Sequence, residues 1–124
     1  MNTSVKTVST RLGAVQIAII VLTIATALIH LILAFFRPDP TLTPLFILNA
    51  VGYLVLLAGL FLDIPFARER RGLIRWALIG LTALGILAWL AIGDKSWPGG
   101  ALGYVTKLIE VLLIILLFVE RGQR

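Results

Sequence analysis

Lys107 and Glu110 stand one helical turn apart inside "GYVTKLIEVLLIILLFVE", a stretch otherwise almost wholly apolar. A cation and a carboxylate at that spacing share one helix face, so they can pair with each other or jointly bind an ion, proton or polar ligand. Beyond this pair the chemistry on offer is sparse. His30 is the sole histidine and cysteine is absent. Disulfides, thiol redox couples and thiolate nucleophiles are therefore excluded, as are bis-histidine haem and two-histidine metal motifs within one chain. Ser4, Ser9 and Ser96 have no second histidine with which to build a catalytic triad, and no glycine-rich phosphate loop is present. The residues argue against an enzyme and imply no metal and no cofactor.

The elements that must position these groups follow from composition. The chain has 124 residues, 60% of them hydrophobic and 14% charged, with a mean hydropathy of +1.05. A soluble domain of this size could not hide so much apolar surface, so lipid must be its main solvent. A hydrocarbon slab about 30 Å thick needs roughly 20 apolar residues in a helix. Four stretches qualify, 12–36, 45–62, 73–92 and 101–119, and they predict a single four-helix transmembrane domain over 1–124. Proline and glycine mark the connectors "RPDPTLTP", "DIPFARERRG" and "GDKSWPGG". The first span is too long for a cleaved signal's apolar core and reads as a retained anchor.

Charge sets the direction. Lys6, Arg11, Arg68, Arg70, Arg71, Arg75, Arg121 and Arg124 fall on one side of an even-numbered set of spans, against Arg37 and Lys95 on the other. The positive-inside rule then predicts an antiparallel bundle in a prokaryotic cytoplasmic membrane, with both termini cytoplasmic. The net charge of +5 is thus a matter of topology and not a nucleic-acid footprint. Arg68, Arg70, Arg71 and Arg75 are expected to contact anionic lipid headgroups, at about 1 kcal/mol per cation. Trp76 at the inner end, and Trp89, Trp97 and Tyr104 at the outer, fit interfacial belts.

Each span predicts one small-or-polar face. These are Gln16, Thr23, Thr26, Ala27 and His30 on the first; Asn49, Gly52, Tyr53, Gly59 and Asp63 on the second; Ala77, Gly80, Ala88 and Ala91 on the third; and Gly103, Thr106, Lys107 and Glu110 on the fourth. Small residues permit close helix approach in lipid, so these faces are expected to pack together. Lys107 lies about 9 Å and Glu110 about 14 Å below the start of the last helix. Excluding them from the slab would leave too few residues to span it. An isolated charge there costs about 2.5–3.5 kcal/mol, so both should turn inward. Antiparallel packing brings His30, Asn49, Tyr53, Lys107 and Glu110 to one depth in the outer half, as a polar cluster. Its bland reading is an internal ion pair that fixes register, with His30, Asn49 and Tyr53 as hydrogen-bonding packing residues. Its sharper reading is a proton, ion or ligand site. Asp63 beside the arginines reads as half of a surface ion pair.

"LNAVGY" and "KLIE" carry a resemblance. Through Leu48, Asn49, Gly52, Tyr53, Lys107, Leu108 and Glu110 the chain resembles small four-helix prokaryotic membrane proteins of unassigned function. The resemblance covers the last three helices and implies a multi-pass membrane protein, without an activity. Small multidrug transporters share the length and helix count, but their functional carboxylate is in the first helix, where this chain has none. The expected role is a subunit or scaffold of a membrane assembly, either a homo-oligomer or a larger complex. The alternative is a small oligomeric transporter or channel for protons or small solutes using Glu110 and Lys107, since four helices fill their own centre and leave no lumen.

Overall fold

A computed structural model of the chain describes residues 13–93, 95–96 and 100–122. Lys6, Arg11, Trp97 and Arg124, to which the sequence assigns sides of a membrane, lie outside the described residues, as do Ser4, Ser9, Pro98 and Gly99. The described residues form helices α1 (Ala14–Phe36), α2 (Leu42–Phe61), α3 (Pro65–Glu69), α4 (Arg71–Ile92) and α5 (Ala101–Gly122). All but α3 are long and apolar enough to cross a membrane.

Helix ends follow local chemistry. α1 stops at Arg37, and Pro38 follows it; a residue before proline is pushed out of the helical region. α2 starts at Leu42, earlier than the apolar run, because Asp39 organises its first turn. The Asp39 Oδ1 accepts the amides of Thr41 at 2.8 Å and Leu42 at 2.9 Å, while the Asp39 amide donates to Thr43 Oγ1 at 2.8 Å. These amides have no intrahelical acceptor, so the carboxylate satisfies them. Pro44 sits within that first turn, where its missing N–H is not needed. The connector expected over 63–72 is largely helical instead. Pro65 opens α3 with its φ already set, and α4 begins at Arg71 after a single break at Arg70.

The four long helices close into a ring, with α1 against α2 and α5, and α4 against α2 and α5. Ile19, Tyr53, Leu57, Leu60, Leu78, Leu113 and Leu117 form its buried centre. α2 and α4 approach closely where α2 has no side chain: a Cβ at Gly52 would stand 3.1 Å from Leu81, and one at Gly59 3.1 Å from Ile74. Buried threonines return their hydroxyls to their own helix, Thr23 to the Ile19 carbonyl at 2.7 Å and Thr82 to that of Leu78 at 2.8 Å. The outside is the oily surface: Phe36, Leu48, Phe66, Leu73 and Leu84 are all exposed. An apolar exterior around a polar-studded centre suits a helical bundle solvated by lipid.

The small-residue faces follow the sequence reading on three helices only, and on α2 without Asp63, which is exposed beyond the helix end. Gln16, Thr23, Thr26, Ala27 and His30 are buried. On α4 the reading is overturned. Ala77, Gly80, Ala88 and Ala91 are exposed, Ala88 where a cavity between the helices opens, and the buried face is Arg75, Leu78, Ile79 and Thr82. Large apolar residues lie on both sides of α4, Leu78 and Ile79 inside and Leu73, Leu84 and Leu87 outside, so hydrophobicity alone does not distinguish its core face.

Candidate functional site

Glu110 is completely buried and all four long helices converge on it. Lys107, one turn earlier on α5, holds Oε1 through its Nζ at 2.5 Å. Oε2 accepts from Thr26 Oγ1 of α1 at 3.1 Å and from the Tyr53 hydroxyl of α2 at 3.3 Å. The Lys107 ammonium also donates to the Gly85 carbonyl of α4 at 3.3 Å. The carboxylate packs directly on that glycine, where a Cβ would come 3.6 Å from both of its oxygens. One carboxyl group therefore bonds α1, α2 and its own helix and packs against α4. Each partner is of the type that lowers the cost of burying charge, an opposite charge or a hydrogen-bond donor.

His30 borders the cluster without bonding the carboxylate. Its Nδ1 donates to the Thr26 carbonyl at 2.7 Å; a carbonyl only accepts, so this nitrogen carries the proton. Nε2 then faces Glu110 Oε2 at 3.9 Å, beyond a direct hydrogen bond. The ring leans edge-on against Phe46, with centroids 5.8 Å apart. Asn49 takes no part in the cluster. Its Oδ1 is buried without a hydrogen-bond partner, and the residue lines a cavity of about 380 Å³ shared with His30, Lys107, Gly85 and Trp89.

Four of the five residues expected to cluster, His30, Tyr53, Lys107 and Glu110, meet as neighbours. Sequence reasoning placed Thr26 on the inward stripe without giving it the carboxylate, and it overlooked Gly85. Both were accessible in principle, since Thr26 is one turn from His30, and Gly85 and Lys107 lie at matching distances from the α4–α5 connection.

The second buried ion pair corrects the reading of the arginines. Arg75, expected among lipid headgroups, is buried and donates through Nε and Nη2 to Glu120 Oε1 at 3.1 and 2.7 Å. Glu120 is wholly buried, and the attraction of a buried carboxylate turns Arg75 inward. Of the other arginines, Arg68 bonds the exposed Asp63 at 2.5 Å, as a surface pair. Arg70 reaches Glu69 at 3.6 Å and lies over the Phe66 ring at 4.0 Å. Arg71 donates to the Leu62 carbonyl. Among the described residues no group of three histidine, cysteine or acidic side chains is arranged to hold a metal ion.

At the two ends of α4 aromatic pairs form, Trp76 with Phe118 and Trp89 with Tyr104, at 5.6 and 5.2 Å between centroids. A cation lies over each indole, Arg121 at 5.4 Å from Trp76 and Lys95 at 5.4 Å from Trp89.

Compared with known proteins, the chain matches no family model, and no curated protein or solved structure is similar to it.

Proposed function

We propose that this chain is a small multi-pass integral membrane protein of a prokaryotic cytoplasmic membrane, a non-enzymatic subunit or scaffold within a larger membrane assembly. Its four spans run antiparallel with both termini in the cytoplasm, and Arg68, Arg70 and Arg71 meet anionic headgroups there. The observation that carries this reading is the state of Glu110. Its charge is balanced by Lys107 at 2.5 Å, and Thr26 and Tyr53 occupy its other oxygen. A carboxylate so engaged serves as a fixed tie between helices, because releasing it to carry a proton or ion would break its bonds to α1 and α2 and its pairing with Lys107.

The open face of α4 supports assembly with another membrane helix, a second copy included. Ala77 and Gly80 lie there, and a Cβ added at Gly80 meets nothing within 4 Å; small residues let a second helix approach closely. Native mass measurement from mild detergent tests this. A complex that falls to the monomer with Gly80→Ile supports the scaffold reading, whereas a monomeric native protein with no co-purifying partner rejects it.

Transport is the second reading, favoured by the cavity that reaches Lys107 and His30 from one end of the bundle. Protein in liposomes that conducts protons or cations, and loses the flux with Glu110→Gln, would replace the scaffold reading with this one.

A further inference from the structure

The cavity of about 380 Å³ is bordered by all four long helices, at the end where the α1–α2 and α4–α5 connections lie, and is open on one side. Arg37 borders its rim, and His30 and Lys107 lie deeper. The seven-step rise along the chain from His30 to Arg37 gives it a depth of roughly 10 Å at 1.5 Å per residue. That volume falls within the range of small-molecule sites, and its wall is mostly apolar, with Leu33, Phe46 and Ala88 among its members.

Three residues of that wall carry an incompletely used polar group. Asn49 Oδ1 is a buried acceptor with no donor, and Trp89 Nε1 a buried donor with no acceptor. Lys107 has three N–H groups, of which Glu110 and Gly85 take two among the described residues. The terminal amide of an asparagine turns about a broad torsion, so its oxygen can swing to meet a donor arriving in the cavity. Charge narrows the choice. Lys107 and Glu110 already neutralise each other, so an ionised head would leave a net charge in an apolar enclosure. A hydroxyl is the smallest neutral group that both donates, as Asn49 requires, and accepts, as Lys107 and Trp89 require.

We infer that this cavity is a binding site for a lipophilic alcohol or phenol, its hydroxyl held among Asn49, Lys107 and Trp89 and its apolar body against Leu33 and Phe46. The inference stands apart from the scaffold role, since a scaffold, a channel or neither could hold such a ligand.

The test uses the full chain in phosphatidylcholine nanodiscs with three photoreactive probes of equal length: a diazirine-bearing fatty alcohol, the matching fatty acid and the matching alkane. Labelled peptides are mapped by mass spectrometry. The alcohol should label cavity-lining positions of α4 and α5 about tenfold more than the alkane, the difference one hydrogen bond makes, and unlabelled 1-decanol should compete. Ala88→Trp should abolish the labelling by filling the space. Asn49→Leu, which removes the acceptor for the hydroxyl proton, should lower the alcohol's labelling towards that of the alkane. Equal labelling by alcohol and alkane would overturn the proposal. So would preference for the fatty acid, or alcohol labelling unchanged by Asn49→Leu.

Discussion

Removing the Glu110 carboxylate strands Lys107 among apolar groups and leaves Thr26 and Tyr53 without their acceptor. Glu110→Ala should therefore destabilise the bundle by about 3–5 kcal/mol, as breaking a buried pair by deleting one partner does. Lys107→Met together with Glu110→Leu removes both charges and should be near neutral, or stabilising by about 1–4 kcal/mol. Reversible unfolding in mixed micelles measures both. A double variant as unstable as Glu110→Ala would show that the pair is needed for more than mutual neutralisation. Tyr53→Phe deletes one interhelical hydrogen bond and should cost about 0.6 kcal/mol. Arg75 and Glu120 obey the same logic: Glu120→Ala should be severe, and Arg75→Met with Glu120→Leu mild.

At the scale of single elements, the start of α2 depends on Asp39. The amides of Leu42 and Thr41 hold its carboxyl below the ordinary value of 3.8. A depressed pKa means that the folded state favours the ionised form. The contribution is complete above the unfolded pKa and is lost as pH falls through the folded one. Protection of the Thr41 and Leu42 amides, taken relative to the unstructured exchange rate at the same pH, should accordingly persist at neutral pH and be lost only in strong acid. Asp39→Ala should remove that protection at every pH, and Asp39→Asn should keep an acceptor while abolishing the pH dependence of the protection.

α2 and α4 also mark how far the sequence could be read. Four long apolar helices were legible, because length and hydropathy alone decide which segments cross 30 Å of hydrocarbon. So was the inward turn of Glu110, since charge in lipid has few alternatives. The rotation of α4 was not. Its alanines and glycines suit either a helix contact or an open face, and what settles the matter is Arg75 meeting Glu120 on another helix. Such a pairing is written in two distant residues and in neither alone. The separation of Asn49 from the cluster was hidden likewise, since depth and helix face do not fix which neighbour a short amide reaches.

For the whole molecule, the proposed topology sends the connection holding Ser96 outward and that holding Arg68 to the cytoplasm. The chain lacks cysteine, so single substitutions report cleanly. A membrane-impermeant maleimide should label Ser96→Cys in intact cells, and Arg68→Cys only after lysis. The reverse pattern would invert the bundle and shift the cluster around Glu110 to the cytoplasmic half. The internal contacts themselves are independent of that choice, because Lys107, Thr26 and Tyr53 reach the carboxylate whichever way the ring of helices is inserted.

The most direct test is a dipolar-recoupling measurement by solid-state NMR on the protein in lipid bilayers, between lysine ¹⁵Nζ and glutamate ¹³Cδ. With the Lys107 Nζ at 2.5 Å from Glu110 Oε1, one glutamate carboxyl should dephase strongly, and that signal should vanish in Glu110→Gln. Absence of any dephased carboxyl would mean that the ammonium and the carboxylate stand apart in the membrane, and the tie between the four helices would not exist.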